Sequence, residues 1–396
     1  MDSKERLSIY LPVGVSAALY IFIMYFTERH ETAMLLSLYT VLFGSYLWLT
    51  YKTKNCSVAH FIFVAIAFRF LLLFAMPNLS DDLYRFVWDG HLILNGINPF
   101  AHLPSYYFEN GLLNGLTVEL YQQLNSPDYF TIYPPFSQFI FLISVYLSPD
   151  SFLGSAVVMR LLIILAEVIT IYVLIKVLDH YGINRKYVIW YALNPLVILE
   201  LTGNLHYEAF MICFLVIALY LYVKQRLIIS ALFIALAISA KLIPLMLLPL
   251  FLRRLPIKSL LKYYGWITLF TIILFLPMLS GSLVQGMSSS VGLYFQKFEF
   301  NASVYYLIRE IGYAVEGYNV IETAGPYLAL VTFFFVMALA WFKNKLEMPK
   351  HVMIVFTGYF MFATTVHPWY ITTIIAFALF THYRFAVLWS FLIFFT

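Results

Sequence analysis

Apolar runs follow one another along almost the whole chain, at about residues 8–27, 33–50, 57–76, 132–148, 154–178, 187–203, 205–223, 227–241, 242–252, 263–279, 325–342, 351–366, 369–381 and 385–396. Most reach the roughly 17–25 residues that carry an α-helix through a bilayer. In hydrocarbon each backbone N–H and C=O needs a partner within the protein, so runs of this length admit helices and little else. The content agrees, at 62% hydrophobic and 11% charged, where a soluble domain holds about 45–50% and 25%. The expectation is an all-α integral membrane protein of about 11–13 transmembrane helices, with the first run retained as a span. Residues 1–396 read as one unit, since no 20–50-residue repeat and no soluble linker interrupts them.

Lysine and arginine in short loops orient such a chain. Lys4, Arg6, Lys52 and Lys54 put the N-terminus and the second loop inside. The segment 77–131, with Arg85 as its only basic residue, is then a first outer loop. Arg185/Lys186, Lys224/Arg226, Arg253/Arg254/Lys258 and Lys343/Lys345/Lys350 also read as inside. The two halves agree only if one net crossing separates residue 131 from residue 185. The run 132–148 opens with Tyr133-Pro134-Pro135 and is short, so it is read as re-entrant on the outer side; a full crossing would leave Arg185/Lys186 against the charge rule. The polar clusters then share the outer face: Asp81 to Asp89, Asn204 to Glu208, the Lys241 region, a second outer loop at 280–322, and His367-Pro368-Trp369-Tyr370.

These clusters hold the candidate chemistry. Residues 82–95 read as a helix stopped by Gly96 and Pro99. Asp82, Arg85 and Asp89 share one face and Leu83, Val87 and Leu94 another, which suits a helix lying in the interface with its apolar side down. Asp81 or Asp82 at its start can take a proton from an attacking hydroxyl. The structural alternative makes Ser80 or Asp81 an N-cap and Asp82–Arg85 an i,i+3 pair. His206 and Glu208 open a later helix, where they either order an acceptor or cap the helix. Lys241, beside Ile243-Pro244, either holds a phosphate or extends its ammonium to the head groups. Arg69 and Arg160 lie inside spans toward the outer side and are candidates for a lipid phosphate, with Glu167 neutralising one of them. His367, Trp369 and Tyr370 combine a hydrogen-bonding ring with aromatic faces, as a sugar site or an interfacial belt does. Lys297, Glu299 and Arg309 read as a solvated part of the second loop or a cover for the site.

Other chemistries are excluded or unsupported. There is no Walker loop, dinucleotide fingerprint, zinc spacing or serine elbow. Cys56 and Cys213 are too few for a disulfide framework or a thiolate metal site. The net charge of +4, spread over short loops, argues against nucleic acid as a partner.

The ordered set Asp81-Asp82-Leu83-Tyr84-Arg85-Phe86-Val87-Trp88-Asp89-Gly90, Gly96-Ile97-Asn98-Pro99-Phe100, Tyr133-Pro134-Pro135, Asn194-Pro195-Leu196, Gly203-Asn204-Leu205-His206, Lys241-Leu242-Ile243-Pro244 and His367-Pro368-Trp369-Tyr370 resembles the GT-C superfamily of glycosyltransferases. More narrowly it is similar to prokaryotic mannosyltransferase-type members, and distantly to the GPI mannosyltransferase that uses dolichyl-phosphate mannose. The resemblance runs from about residue 77 to 255 and returns near 367. It implies a sugar, mannose or another hexose, carried on polyprenyl phosphate, a glycan or lipid acceptor, and inversion at the anomeric carbon. It also implies a site on the outer face of a bacterial inner membrane, among membrane lipids. The base of the family maps onto Asp81 or Asp82, with the spacing from Tyr84 favouring Asp81; Asp89 matches a further acidic position. Arg85, Asp89, His206, Glu208, Lys241, His367, Trp369 and Tyr370 are then the substrate-binding candidates. Adjacent aspartates replace the Asp-x-Asp of the GPI enzyme, so a divalent metal is left unassigned and no other cofactor is implied. The competing class is a transporter or flippase of lipid-linked sugars, which calls for paired broken spans related by an internal repeat. A non-glycosyl lipid transferase shares the phosphate logic.

Overall fold

A computed structural model describes residues 3–52, 57–342 and 345–396. Lys54, Cys56, Lys343 and the side chain of Lys4, all used above, lie outside the described residues. Among those described, helix is the only regular structure; the one β-type contact is an isolated bridge between Phe300 and Thr365.

Helices α1 (Ser3–Phe26) and α2 (Thr32–Lys52) form a hairpin, and α3 (Val58–Leu71) packs on α1. Segment 77–131 contains α4 (Asp82–Leu94), α5 (Pro104–Asn110) and α6 (Val118–Gln122), followed by α7 (Pro135–Leu147) and the long α8 (Phe152–His180). A chain of short turns comes next: a 3-10 turn (Arg185–Val188), α9 (Ile189–Ala192) and a π-type segment (Val197–Gly203). Then follow α10 (Glu208–Val223), α11 (Leu227–Ala240), a 3-10 stretch (Ile243–Phe251) and α12 (Ile257–Phe275). The second loop carries α13 (Gly281–Gln296) and α14 (Val304–Val315), and α15 (Ile321–Phe342), α16 (Met348–Phe362), α17 (Ile371–Ala378) and α18 (Phe385–Leu392) complete the bundle.

The expected span count of about 11–13 is refined. Among the described residues, five helices are long and apolar enough to cross a membrane, and a sixth is added if Val197–Gly203 and Glu208–Val223, bent by 110°, count as one. Five shorter apolar helices complete the set: Val58–Leu71, Pro135–Leu147, Leu227–Ala240, Pro368–Ala378 and Phe385–Phe395. The long runs are broken where proline removes a donor or fixes φ, at Pro195, Pro244, Pro249 and Pro368, and where polar residues take the freed backbone groups.

Two arginines hold these breaks together. Arg69 is fully buried and donates to Glu167 Oε2 at 2.7 and 3.2 Å and to the carbonyls of Ala65 and Ala192. Tyr191 donates to the other oxygen of Glu167 at 2.6 Å. Arg160 donates to the carbonyls of Leu73, Thr202 and Gly203 at 2.8–2.9 Å, capping the C-terminal end of the π-type segment.

Helix α7 packs along α4 and joins α11 to α8. Its first turn meets the end of α11: Ser239 Oγ accepts from Phe136 N–H at 3.1 Å, and Ser137 donates to Ala240 O at 2.9 Å. At its far end the short connection 148–151 leads into α8, whose Ser155 returns a bond to Ser148 O at 3.0 Å. Further along α8, Arg160 reaches Leu73 O, just before segment 77–131.

Helix α4 runs where expected, from Asp82 to Leu94, with Asn95 as C-cap and Gly96 at φ 75° ending it. Of the polar face expected to point at a cavity, Arg85 and Asp89 are instead buried. Leu83 and all of Arg85 to Leu92 are buried, because α7 covers the helix. Phe86 stacks on Phe141 with ring centres 4.5 Å apart. At Gly90 a Cβ would lie 2.7 Å from Phe141 O, so only glycine permits this approach.

Candidate active site

The two adjacent aspartates have different surroundings. Asp81 occupies the N-cap position of α4 without a side-chain cap bond; it is 57% exposed and 3.7 Å from Arg29. Asp82, about 100° further round the helix, turns inward and is 23% exposed. Its Oδ1 accepts from Asn125 Nδ2 at 3.3 Å and its Oδ2 from the Tyr133 hydroxyl at 3.1 Å. His206 Nε2 stands 3.9 Å from Oδ2. The Asp82–Arg85 pair is absent from this arrangement, since Arg85 bonds Asp89 at 2.9 Å in i,i+4 register.

Arg85 and Asp89 frame the site. Arg85 also donates to the carbonyls of Ser126 and Tyr129, and Asp89 accepts from Gln138 Nε2 at 2.8 Å. That nitrogen lies within bonding distance of Thr131 Oγ1 and Tyr133 O as well. Together they fix segment 125–133, the segment that brings Asn125 and Tyr133 to Asp82. Both charges are buried and spent on protein partners, which distinguishes them from Asp82.

His206 sits in the break between the π-type segment and α10. Leu205 there adopts φ 63°, a left-handed conformation unusual for leucine, and the turn aims the following ring at Asp82. Nδ1 of His206 is 2.9 Å from Glu200 O and 3.1 Å from Glu200 Oε2, while Trp369 stacks on the ring at 3.7 Å. Glu200 also accepts from Asn204 at 3.2 Å.

Lys241 follows the last residue of α11 in extended conformation, φ −151°, which frees its side chain from the helix. The ammonium pairs with Glu208 Oε1 at 2.5 Å and lies over the rings of Tyr133 and Tyr370 at 5.7 and 5.4 Å. Glu208 Oε2 is buried without a hydrogen-bond partner. His367 is stacked between Trp369 (4.4 Å) and Phe300 (5.2 Å). Burial pushes its imidazole down to about 4; nearby Asp82 opposes the shift, and Lys241, His206 and Arg29 add to it.

A cavity of about 530 Å³ opens beside this cluster. Lys241, Tyr133 and Tyr370 contribute to its wall, and the rest is mainly apolar, including Leu242, Met246, Phe333 and Val336. The second loop packs against the first, where Ser290 Oγ donates to Phe130 O, and against the segment before Pro368, where Phe300 N–H donates to Thr364 O and Phe300 O accepts from Val366 N–H across the Phe300–Thr365 bridge. Glu299 and Arg309 pair at 2.8 Å within that loop, and Lys297 is exposed.

The structure therefore gathers Asp82, His206, Glu208, Lys241, His367, Trp369 and Tyr370. It leaves Asp81 at the rim and sets Arg85 and Asp89 behind the site. Arg69 and Arg160 lie apart, every guanidinium nitrogen engaged by protein, in helix-locking roles. Glu200 and Asn125 join the cluster unannounced. A signal existed for Glu200, an acidic residue inside the apolar run 187–203; none existed for Asn125, one amide in a polar loop. Among the described residues, no group of three or more His, Cys, Asp or Glu side chains is arranged to hold a metal ion.

A helical membrane bundle with an inward carboxylate, a buried lysine and an apolar cavity at one end defines the class: a polytopic membrane protein whose polar site adjoins a space suited to an apolar chain. Its family is established by sequence. The chain belongs to the family described as alpha-(1->6)-mannopyranosyltransferase, N-terminal domain, whose model matches residues 13–255. It is 25% identical over 171 residues to alpha-(1->6)-mannopyranosyltransferase A of Corynebacterium glutamicum, an alignment covering 43% of this chain and 34% of that protein. To the protein of the same name from Mycobacterium tuberculosis it is 24% identical over 174 residues, 43% of this chain and 32% of that one. The matched region thus spans about a third of these relatives' length. No solved structure matches the chain significantly.

Proposed function

We propose that the protein is a membrane mannosyltransferase that moves mannose from a polyprenyl-phosphate carrier to a hydroxyl of a glycan or lipid acceptor, on the outer face of a bacterial inner membrane. The observation that carries this is Tyr133, whose hydroxyl bonds Asp82 while its ring faces the Lys241 ammonium at the wall of the apolar cavity. One side chain thus couples a candidate base to a candidate phosphate site, with room for an apolar chain beside it. Asp82 takes the acceptor proton as the oxygen attacks the anomeric carbon. The sugar–phosphate C–O bond breaks and its electron pair leaves with the lipid phosphate. A single in-line displacement inverts the centre, so an α-linked product, as in the names of the relatives, calls for a β-linked donor. Lys241 neutralises the leaving phosphate by turning from Glu208 toward it. His367, Trp369 and Tyr370 offer ring faces and one ring nitrogen to the sugar.

A lipid-sugar flippase draws support from the bent pair Val197–Gly203 and Glu208–Val223. It calls for two related breaks, and among the described residues one such pair is present.

The test is to incubate the purified protein with mannosyl polyprenyl phosphate or nucleotide-linked mannose and a hydroxyl acceptor, and to identify the transferred sugar and its linkage. Transfer from the lipid donor alone is expected. Transfer from the nucleotide donor alone, or movement of intact lipid-linked sugar without transfer, overturns the reading.

A further inference from the structure

After transfer the Asp82 carboxyl carries the acceptor's proton, and a group beside it that can hold that proton frees the carboxylate before product leaves. Its neighbour on the inner side is His206. Nδ1 of that ring faces Glu200 O at 2.9 Å and Glu200 Oε2 at 3.1 Å. A carbonyl and a carboxylate only accept, so Nδ1 carries the hydrogen and donates it. In the neutral ring Nε2 then holds the lone pair. Nε2 is buried, has no hydrogen-bond partner, and stands 3.9 Å from Asp82 Oδ2. Two acceptors facing each other stay apart, which accounts for a gap beyond hydrogen-bond reach. Once Asp82 is protonated the same pair becomes donor and acceptor, and a small side-chain rotation closes it.

We propose that Glu200 is a positioning residue: it fixes the tautomer of His206 so that Nε2 withdraws from Asp82 the proton taken from the acceptor. This rests on Asp82 being the base. As the new C–O bond forms, the hydroxyl proton passes to the Asp82 carboxylate and the electron pair of the broken C–O bond leaves with the phosphate. The proton then moves to His206 Nε2, and the resulting imidazolium is stabilised by the Glu200 carboxylate. As product departs the proton passes back through Asp82, the more exposed of the pair, to water, with nothing oxidised or reduced. The groups around His206 are Glu200 from the π-type segment, Asp82 from α4, His367 and the stacked Trp369 from the segment before α17, and, acting on the same His367, Lys241 and Arg29. Glu200 is the anion bonded to the far ring nitrogen, so it sets which nitrogen is free.

The deciding experiment is the solvent deuterium isotope effect on kcat for Glu200→Gln, which keeps an acceptor for Nδ1–H and removes the charge. A positioned acid–base group contributes about 10²–10⁴-fold, and a fall in kcat of up to that order is expected while the KM for the lipid donor stays put. The isotope effect should rise, because proton transfer from Asp82 to His206 becomes slow; a merely structural defect lowers kcat without changing it. Should Glu200→Gln fail to fold, His206→Gln carries the test, since it removes the proton acceptor and should show the same rise. An unchanged isotope effect in either variant overturns the proposal. Asp82→Asn is assayed in parallel: if it keeps full turnover, the base assignment itself fails, whereas an inactive Asp82→Asn beside an unchanged isotope effect in Glu200→Gln overturns the relay alone.

Discussion

The cluster around Arg69 and the cluster around Asp82 are both built from ionisable side chains where helices converge, yet they are finished differently. Around Arg69 every guanidinium nitrogen donates, and both oxygens of Glu167 accept. Around Asp82 the satisfaction is incomplete: His206 Nε2, Glu208 Oε2 and Asn204 Oδ1 are buried without hydrogen-bond partners. A closed network rigidifies the protein and offers nothing to a ligand. An unsatisfied buried polar atom is costly by itself and persists where something else repays it. Two charged clusters of similar composition are thereby separated into a closed one and an open one.

The largest effect that sharpens this contrast is expected from Asp82→Asn. Loss of a general base should lower turnover by about 10²–10⁴-fold with the melting temperature nearly unchanged, while Asp81→Asn, at the exposed rim, stays close to wild type. Equal losses at the two positions would remove the distinction between inward and rim carboxylates. The mirror experiment is Arg69→Met, which leaves Glu167 buried and unpaired. Its unfolding free energy in detergent should fall by about 3–5 kcal/mol, and turnover per folded molecule should hold. Selective loss of lipid-donor use in that variant, without loss of stability, would put Arg69 back among the phosphate ligands.

Lys241 lies between the two cases, being paired and also facing the cavity. Lys241→Met alone strands Glu208, so the informative variant is Lys241→Met with Glu208→Gln. Losing one charge-assisted phosphate contact, about 1.5–3 kcal/mol, should raise the KM for a polyprenyl-phosphate donor at least about tenfold. An unchanged KM would assign the pair to structure, beside Arg69 and Glu167. The smallest effect concerns His367, held near about 4 against an ordinary 6.5. The unfolded chain takes up this proton first as pH falls, so the neutral ring's contribution to stability is full above about 6.5 and declines toward 4. His367→Gln should flatten that part of the melting-temperature profile; an identical profile would mean that His367 does not titrate in this way.

Much of this was legible without coordinates. Helix α4 was readable from Asp82 to its stop at Gly96, because a capping position, an apolar period and a glycine speak locally. The cluster of outer-loop and span-end polar residues was also readable, since charges in an apolar chain are few enough for each to need a reason. What resisted reading was pairing. Nothing in the run 187–203 says that Glu200 will turn back onto His206 through a break with Leu205 left-handed. Lys241 was marked by its position, but its partner Glu208 lies on another helix. The favoured aspartate was Asp81 by spacing from Tyr84, and one helical step, about 100°, was enough to put Asp82 at the site instead.

Composition and periodicity determined that this chain is a bundle of apolar helices with its polar residues collected in loops and breaks, because a bilayer-length helix leaves no other way to pair its backbone. Motif order along the chain determined its family. Tertiary structure alone decided which charges are consumed and which remain available, since a buried ionisable group is defined by its partners. Arg69 finds Ala192 123 residues away, Asp82 finds Tyr133 51 away and Lys241 finds Glu208 33 away, and only the packing of bent and broken helices brings them together.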